Sequence, residues 1–283
     1  MDAVLVTGAT GLHGGAVADA LLAAGHRVRA FTRDGRGERS RWLAGRGAEL
    51  AVGDLLDTGS LVAAMRGAAA VYAVTTPFAA GEAAEIEQGA HIIAAAGEAR
   101  VPWLILASVA SADRSTGIPH FESKARIEAR LRASGLPHSV VAPTYFYENL
   151  GDPAEIAAAG ALPLPLSPAR PLQQVSAADV GAVVVALLAR RADFLGRRIE
   201  VAGDDPTPQQ MADALSAAGG RRVTFEPMDL AGRGGDIAAM YRYLEDTGYQ
   251  VDIAGLREQF PEVPWTSFAR WAGERLDDTG SQP

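Results

Sequence analysis

The sequence predicts an α/β fold, a doubly wound parallel sheet followed by a smaller α+β domain. Three observations predict it. Short apolar runs alternate with stretches of helical periodicity from the first residues to about Asn149. The first run breaks into a turn with three glycines, Gly8-Ala-Thr-Gly11-Leu-His-Gly14. Beyond Asn149 the rhythm changes, and proline becomes dense through Leu162-Pro-Leu-Pro-Leu-Ser-Pro168.

Asp2 to Thr7 reads as the first strand, and Ala16, Val17, Ala20, Leu21 and Ala24 recur behind the turn at helical spacing. After the Gly25-His26 stop, Arg27 to Thr32 reads as the second strand, ending at Arg33. A short helix to about Gly47, a strand at Glu49 to Val52 and a helix from the Asp57 cap to Arg66 follow. Ala69 to Val74 is the fourth strand, and a long helix covers about Ala83 to Ala99, with Ile86, Ala90 and Ile93 on one face. Trp103 to Ala107 is the fifth strand, Pro119 to Ala133 a helix, and Ser139 to Ala142 the sixth strand. Continuous apolar strands separated by helices imply a parallel sheet covered on both faces.

The C-terminal half reads as a smaller domain. No regular structure is expected through 162–168. A strand at about Leu172 to Val175, a helix from Ser176 to Leu188, and a strand at Arg198 to Val201 follow. A helix opens at Thr207 with Pro208 in its first turn; then come a strand at Val223 to Phe225 and further helices to about Leu276. The domain boundary is expected near 150. Residues 1–150 would bind a nucleotide, and 151–283 would form a substrate or partner domain, with about 172–190 packing back on the first.

Strand, glycine turn, helix and second strand together form the unit that carries a dinucleotide. One glycine permits the sharp turn, one lets the backbone approach a pyrophosphate, and one lets the helix pack close to the sheet. The helix start then offers unpaired N–H groups and a positive dipole end. Ligands of such sheets sit beyond the carboxyl ends of the strands. The nucleotide-binding candidates are therefore Gly8, Thr10, Gly11, Leu12, His13 and Gly14, then Arg33, Asp54 and Leu55. Further along the chain they are Thr75, Thr76 and Ser108, and past the sixth strand Phe146, Tyr147 and Asn149.

An acid after the second strand would meet a free ribose 2′-hydroxyl. Here the place holds Arg33, with Arg36 and Arg39 close behind. Arginine gains a charge-assisted contact with a 2′-phosphate, so the expected cofactor is NADP(H). Asp54 and Leu55 are placed to border the adenine.

The 283 residues include no cysteine, which removes disulfides, thiol catalysis and thiolate metal sites. The net charge of −8 without basic clusters argues against nucleic acid or a polybasic membrane patch. No signal-like segment opens the sequence and no apolar run reaches membrane length, so a soluble, cytoplasmic protein is expected. No His/Asp/Glu group has metal spacing, and no G-x-S-x-G elbow is present.

Lys124 is the one lysine in the chain. At about 100° per residue, Glu122, Arg126 and Arg130 share the solvated side of its helix. Lys124 lies opposite with His120, Phe121, Ile127 and Leu131. A lysine there needs a partner, either the ribose hydroxyls of a bound cofactor or Glu128 one turn on.

Thr7-Gly-Ala-Thr-Gly-x-x-Gly14 resembles the nucleotide motif of atypical and extended short-chain dehydrogenases/reductases. His120-Phe-Glu-Ser-Lys124 sits where that superfamily has Tyr-x-x-x-Lys. Pro143 to Leu150, Val175-Ser-Ala-Ala-Asp179-Val-Gly181 and Met240-Tyr-x-Tyr-Leu…Gly248-Tyr resemble its NmrA-like branch. The resemblance implies a Rossmann domain with NADP bound and a smaller C-terminal domain closing over the nicotinamide. It implies one of two functions. The first is reduction of a small flat carbonyl, enone or quinone compound; the second is NADP(H) sensing by a non-catalytic regulator. The superfamily's catalytic tyrosine is His120 here. In the reductase reading Lys124 and His120 are the catalytic pair, and Phe78 and Tyr145, joined by Tyr147, form an aromatic wall for the substrate. A homodimer or a regulatory protein partner is open on the same grounds.

Overall fold

The computed structural model describes residues 2–78, 80–230 and 235–280, the side chains of 278–280 excepted. The chain forms two compact units. The first comprises Met1–Ser115, Pro119–Ala142 and Val180–Glu200; the second comprises Thr116–Ile118, Pro143–Asp179 and Val201–Pro283.

The first part of the chain runs β1 (Val4–Val6), α1 (Leu12–Ala23), β2 (Val28–Thr32), α2 (Glu38–Gly45), β3 (Glu49–Val52) and α3 (Thr58–Met65). It continues through β4 (Ala70–Ala73), α4 (Gly81–Glu98), β5 (Leu104–Ala107), α5 (Pro119–Ala133) and β6 (His138–Pro143). Then come β7 (Tyr145–Phe146), α6 (Pro153–Ala159), β8 (Ala161–Leu164), β9 (Gln174–Val175), α7 (Ala177–Ala189), α8 (Arg191–Phe194) and β10 (Arg198–Val201). The chain closes with α9 (Pro208–Gly219), β11 (Thr224–Pro227), α10 (Asp236–Asp246), α11 (Ile253–Gln259) and α12 (Phe268–Gly280).

Seven strands form one sheet in the order β10-β6-β5-β4-β1-β2-β3. The pairs β3/β2, β2/β1, β1/β4, β4/β5 and β5/β6 are all parallel. The direction of winding reverses between β1 and β4, which makes the carboxyl ends of these two strands the topological switch point. The central strands β4 and β5 are buried along their whole length, and the edge strand β3 is not. This is why the central runs read as uninterrupted apolar sequence. Leu5, Val71 and Leu104 of the sheet meet Leu61 and Met65 of α3, Ile92 of α4 and Ile127 of α5 in one core.

The structure corrects the expected face of α4. Its buried side carries Glu85, Gln88, Gly89, Ile92 and Ile93, while Ile86 and Ala90 are half-buried. The stripe is turned by about one residue, which brings an acid and an amide inward; apolar periodicity cannot reveal that.

The units do not divide at a single point near 150. Residues 143–150 fall with the second unit, and 180–200 with the first. Close packing explains the return of α7. A Cβ on Gly181 would stand 2.7 Å from the Ala16 carbonyl oxygen and 2.8 Å from the Ala20 Cβ of α1.

In the second unit, the proline-rich segment holds more regular structure than expected. α6 precedes it, and β8 pairs in parallel with β11, with Pro163 opposite Glu226. A two-stranded sheet leaves each strand an open side, where a residue without an N–H costs nothing, and Pro163 is exposed there. β7 pairs in parallel with β9. The helix from Thr207 has its expected start: Thr207 and Gln210 form a reciprocal capping box with Pro208 in the first turn.

Gly→Ala in a helix ordinarily stabilises by roughly 1 kcal/mol. Gly181→Ala is expected to do the reverse, costing about 1–3 kcal/mol by forcing α7 off α1. Urea unfolding reads it: a lowered midpoint is the expected result, and an unchanged or raised one contradicts the contact.

Candidate functional site at the carboxyl ends of β1 and β4

β1 hands over to the turn through Thr7. Its buried hydroxyl donates to the Val74 carbonyl at 2.9 Å and accepts from the Val74 N–H at 2.7 Å. That extends the β1/β4 pairing past the last ladder residues at the switch point. Gly8 then takes φ +62°, a left-handed conformation open to glycine at little cost. Gly14 is required for a different reason: a Cβ there would stand 2.4 Å from the Gly8 carbonyl oxygen. Gly11 is the N-cap of α1 and offers no side-chain cap. Thr10, Gly11 and Leu12 around it are exposed. An uncapped helix start in an open glycine turn is an anion site, and it fits the pyrophosphate of a dinucleotide.

Arg33 follows β2 and is exposed. Among the described residues it makes no ion pair, so its charge is available to a ligand. Arg39 is committed elsewhere, to Asp19 at 2.5 Å and to the ring of Trp42 at 3.9 Å. Asp54 is exposed and turns its carboxylate back to accept from the Leu56 N–H at 2.9 Å; Leu55 is half-buried beside it.

Lys124 has a protein partner, and it is not Glu128. Its ammonium lies 2.8 Å from Glu85 of α4, whose side chain is 0% exposed. It also donates to the Thr75 carbonyl at 3.0 Å, the Thr75 hydroxyl at 2.9 Å and, at the long distance of 3.5 Å, the Ala107 carbonyl. The Thr75 hydroxyl in turn donates to Glu85 at 3.0 Å, and Ser123 donates to the other Glu85 oxygen. Gln88 accepts from the Thr76 N–H at 3.2 Å. Helices α4 and α5 therefore both hold the segment after β4.

Glu128 is buried and engaged with Arg198 at 3.1 Å, and Ser108 donates to it. Arg198 also holds Glu200 at 2.8 Å and the Val109 carbonyl at 2.9 Å. Ser108 is thus tied into the sheet edge instead of standing open beyond β5.

His13, half-buried in the glycine turn, shares a 2.6 Å hydrogen bond with the Tyr72 hydroxyl of β4. Burial, reinforced by the positive charge of Lys124, lowers its pKa from 6.5 to about 3, and burial raises that of Tyr72. His13 is therefore a neutral imidazole at pH 7. His120 is 9% exposed, with Phe121 at 4.7 Å and the exposed Phe78 at 5.9 Å between ring centroids.

The remaining candidates belong to the second unit. The Tyr147 side chain is part of the core of this unit. It is 0% exposed, donates to the Thr266 carbonyl at 3.0 Å, and packs on Phe268 and Trp271. Phe146 is half-buried and Asn149 exposed. Tyr145 and Asn149 line a cavity of about 600 Å³ inside this unit, where the hydroxyls of Tyr145 and Tyr241 stand 2.9 Å apart. Asp179 is buried and accepts from the Thr266 N–H and hydroxyl at 2.7 and 3.0 Å, a structural tether.

Comparison with known proteins settles what the motifs suggested. The profile of the NmrA-like family matches residues 1–256. The chain belongs to the NmrA-like family. The (4-alkanoyl-5-oxo-2,5-dihydrofuran-3-yl)methyl phosphate reductase of Streptomyces griseus is 30% identical over 287 aligned positions, covering 97% of this chain and 98% of the relative. The NADPH complex of the Escherichia coli quinone oxidoreductase QOR2 superposes with a TM-score of 0.79 at 20% identity, covering 96% and 99% of the two chains. NmrA, described as a negative transcriptional regulator, was solved with NAD and superposes with a TM-score of 0.82 at 21% identity, covering 99% and 98%. The two structural likenesses establish the fold of this NmrA-like protein.

Reasoning from sequence missed Tyr72 and Glu85, and it read Thr7 as the start of the nucleotide motif without its bonds to Val74. Glu85 carried no usable signal, because an acid on a helix reads as solvent-facing whatever its spacing to the apolar stripe.

Two predictions follow from the buried groups. Glu85→Gln leaves the Lys124 cation poorly compensated and is expected to cost about 3 kcal/mol. Adding Lys124→Met should restore most of that loss; equal or additive losses in urea unfolding contradict the coupling. His13, neutral when folded, binds its proton more readily when unfolded. Its contribution to stability is therefore present above pH 6.5 and falls as the pH drops toward its folded value of about 3, at up to about 1.4 kcal/mol per pH unit. His13→Gln should flatten acid unfolding over that range; an unchanged acid midpoint contradicts it.

Proposed function

We propose that this NmrA-like protein is an oxidoreductase that binds NADP(H) and reduces a small flat carbonyl, enone or quinone-type compound. The observation that carries the reading is the switch point: an uncapped α1 start in a glycine turn, with Arg33, which has no ion-pair partner among the described residues, beyond β2 and the Lys124 cation buried beyond β4. The Streptomyces relative, itself a reductase, and the NADPH-bound E. coli structure support it.

When bound, the nicotinamide supplies a hydride. The chain supplies the rest. The amides of the first turn of α1 receive the pyrophosphate, and Arg33 receives the 2′-phosphate as a charge-assisted partner. Asp54 and Leu55 border the adenine, and Thr76 lies exposed past β4. Lys124 has three N–H donors, and its 3.5 Å bond to the Ala107 carbonyl is the one most readily exchanged for a ribose hydroxyl. Glu85 holds the ammonium in place while that exchange occurs. His120 stands one helical turn before Lys124 and serves as proton donor; a quinone demands only a weak acid.

A second reading has its own observation. His120 replaces the usual tyrosine, and every Lys124 donor already has a protein acceptor. That arrangement suits a regulator that binds NADP(H) without turnover.

NADPH oxidation by the purified protein, followed by absorbance over quinones, enones and aldehydes, separates the two. Turnover that is lost in Lys124→Ala is expected. Tight NADPH binding without any oxidised acceptor favours the regulator. Arg33→Ala should weaken NADPH about tenfold or more while leaving NADH nearly unchanged; equal weakening of both overturns the 2′-phosphate assignment.

A further inference from the structure

Tyr72 fixes where the His13 imidazole carries its proton. The Tyr72 side chain is 0% exposed, and among the described residues its hydroxyl makes one hydrogen bond, to His13 Nε2 at 2.6 Å. If Nε2 carried the proton it would be the donor, and the buried phenol O–H would be left without an acceptor. The phenol therefore donates and Nε2 accepts. Burial keeps the phenol protonated, and burial together with the Lys124 charge keeps the imidazole neutral. A neutral imidazole that accepts at Nε2 holds its one proton on Nδ1. Nδ1 is the ring nitrogen nearer the backbone, so the N–H lies on the turn side of the ring while Nε2 reaches β4.

The sheet order sets which half of a dinucleotide this N–H meets. β1 lies between β2 and β4. Arg33, given to the 2′-phosphate, follows β2, whereas His13 is bonded to β4 and feels the Lys124 charge. His13 therefore lies on the nicotinamide half of the turn, and it is half-buried, not sealed from a ligand. We propose that His13 donates from Nδ1 to the nicotinamide-side phosphate of the bound dinucleotide, and that Tyr72 is the positioning residue that imposes the donating tautomer. The proposal rests on the NADP(H) reading and adds a side-chain donor to the backbone amides of the turn. The bond is charge-assisted by its anionic acceptor, although the imidazole itself is neutral.

Calorimetric titration of the full-length protein with NADPH and with adenosine 2′,5′-bisphosphate tests the contact. The bisphosphate keeps the 2′-phosphate and the adenosine-side phosphate and lacks the nicotinamide-side one. His13→Leu should weaken NADPH about tenfold or more and leave the bisphosphate nearly unchanged. His13→Asn, which sets an N–H where Nδ1 stands, should keep most of the NADPH affinity. Nitrogen NMR of the unliganded protein reads the tautomer, the His13 signals being those absent from His13→Asn. A protonated Nδ1 and a bare Nε2 are expected. Tyr72→Phe should shift the proton toward Nε2 and weaken NADPH about threefold or more, again sparing the bisphosphate. Equal weakening of both ligands in His13→Leu, or an unchanged NADPH affinity, overturns the contact and leaves the NADP(H) reading standing. A protonated Nε2 in the wild type overturns the role of Tyr72. Wild-type protein that binds neither ligand removes the NADP(H) reading, and this contact with it.

Discussion

The candidate site depends on one buried ion pair. Lys124 and Glu85 come from different helices and meet at 2.8 Å with side chains 11% and 0% exposed. Neither charge is tolerable alone at that depth, so each fixes the other. Their bonds to Thr75 and Ser123 extend the grip to the segment after β4 and to α5 itself. The pair also reaches beyond its contacts: the Lys124 charge adds to burial in holding neutral the His13 imidazole that shares a hydrogen bond with Tyr72. A single lysine thus organises the carboxyl ends of β1, β4 and β5 together.

The second constraint is steric and purely backbone. α1 approaches the turn so closely that Gly14 has no room for a Cβ beside the Gly8 carbonyl. That approach sets the start of α1 against the turn, and Thr7 ties β1 to the end of β4 beside it. Steric closeness positions the helix start, and electrostatic pairing positions the cation. Both converge on the place where an α/β sheet of this winding binds its ligand.

Much of this was legible in the sequence, for identifiable reasons. Local periodicity reports burial, so the strands of the sheet, the buried face of α5 and the Thr207 cap could be read directly. The glycine turn was legible because its residues are consecutive. The partner of Lys124 was not, because Glu85 lies on another helix and the obvious candidate, Glu128, is drawn away by Arg198. The strand β8 was hidden by its prolines, whose cost vanishes on the open side of a two-stranded sheet. Tyr147 illustrates a different limit. An aromatic residue after a strand end suits a ligand wall or a core equally well, and only its bond to Thr266 and its contacts with Phe268 and Trp271 decide for the core.

The central claim is that the turn after β1 holds the phosphates of NADPH. Hydrogen–deuterium exchange of the full-length protein, with and without saturating NADPH, tests it most directly. The account predicts that added protection concentrates in the backbone of residues 8–15 and 32–36. Confirmed NADPH binding with no added protection at residues 8–15 would contradict it.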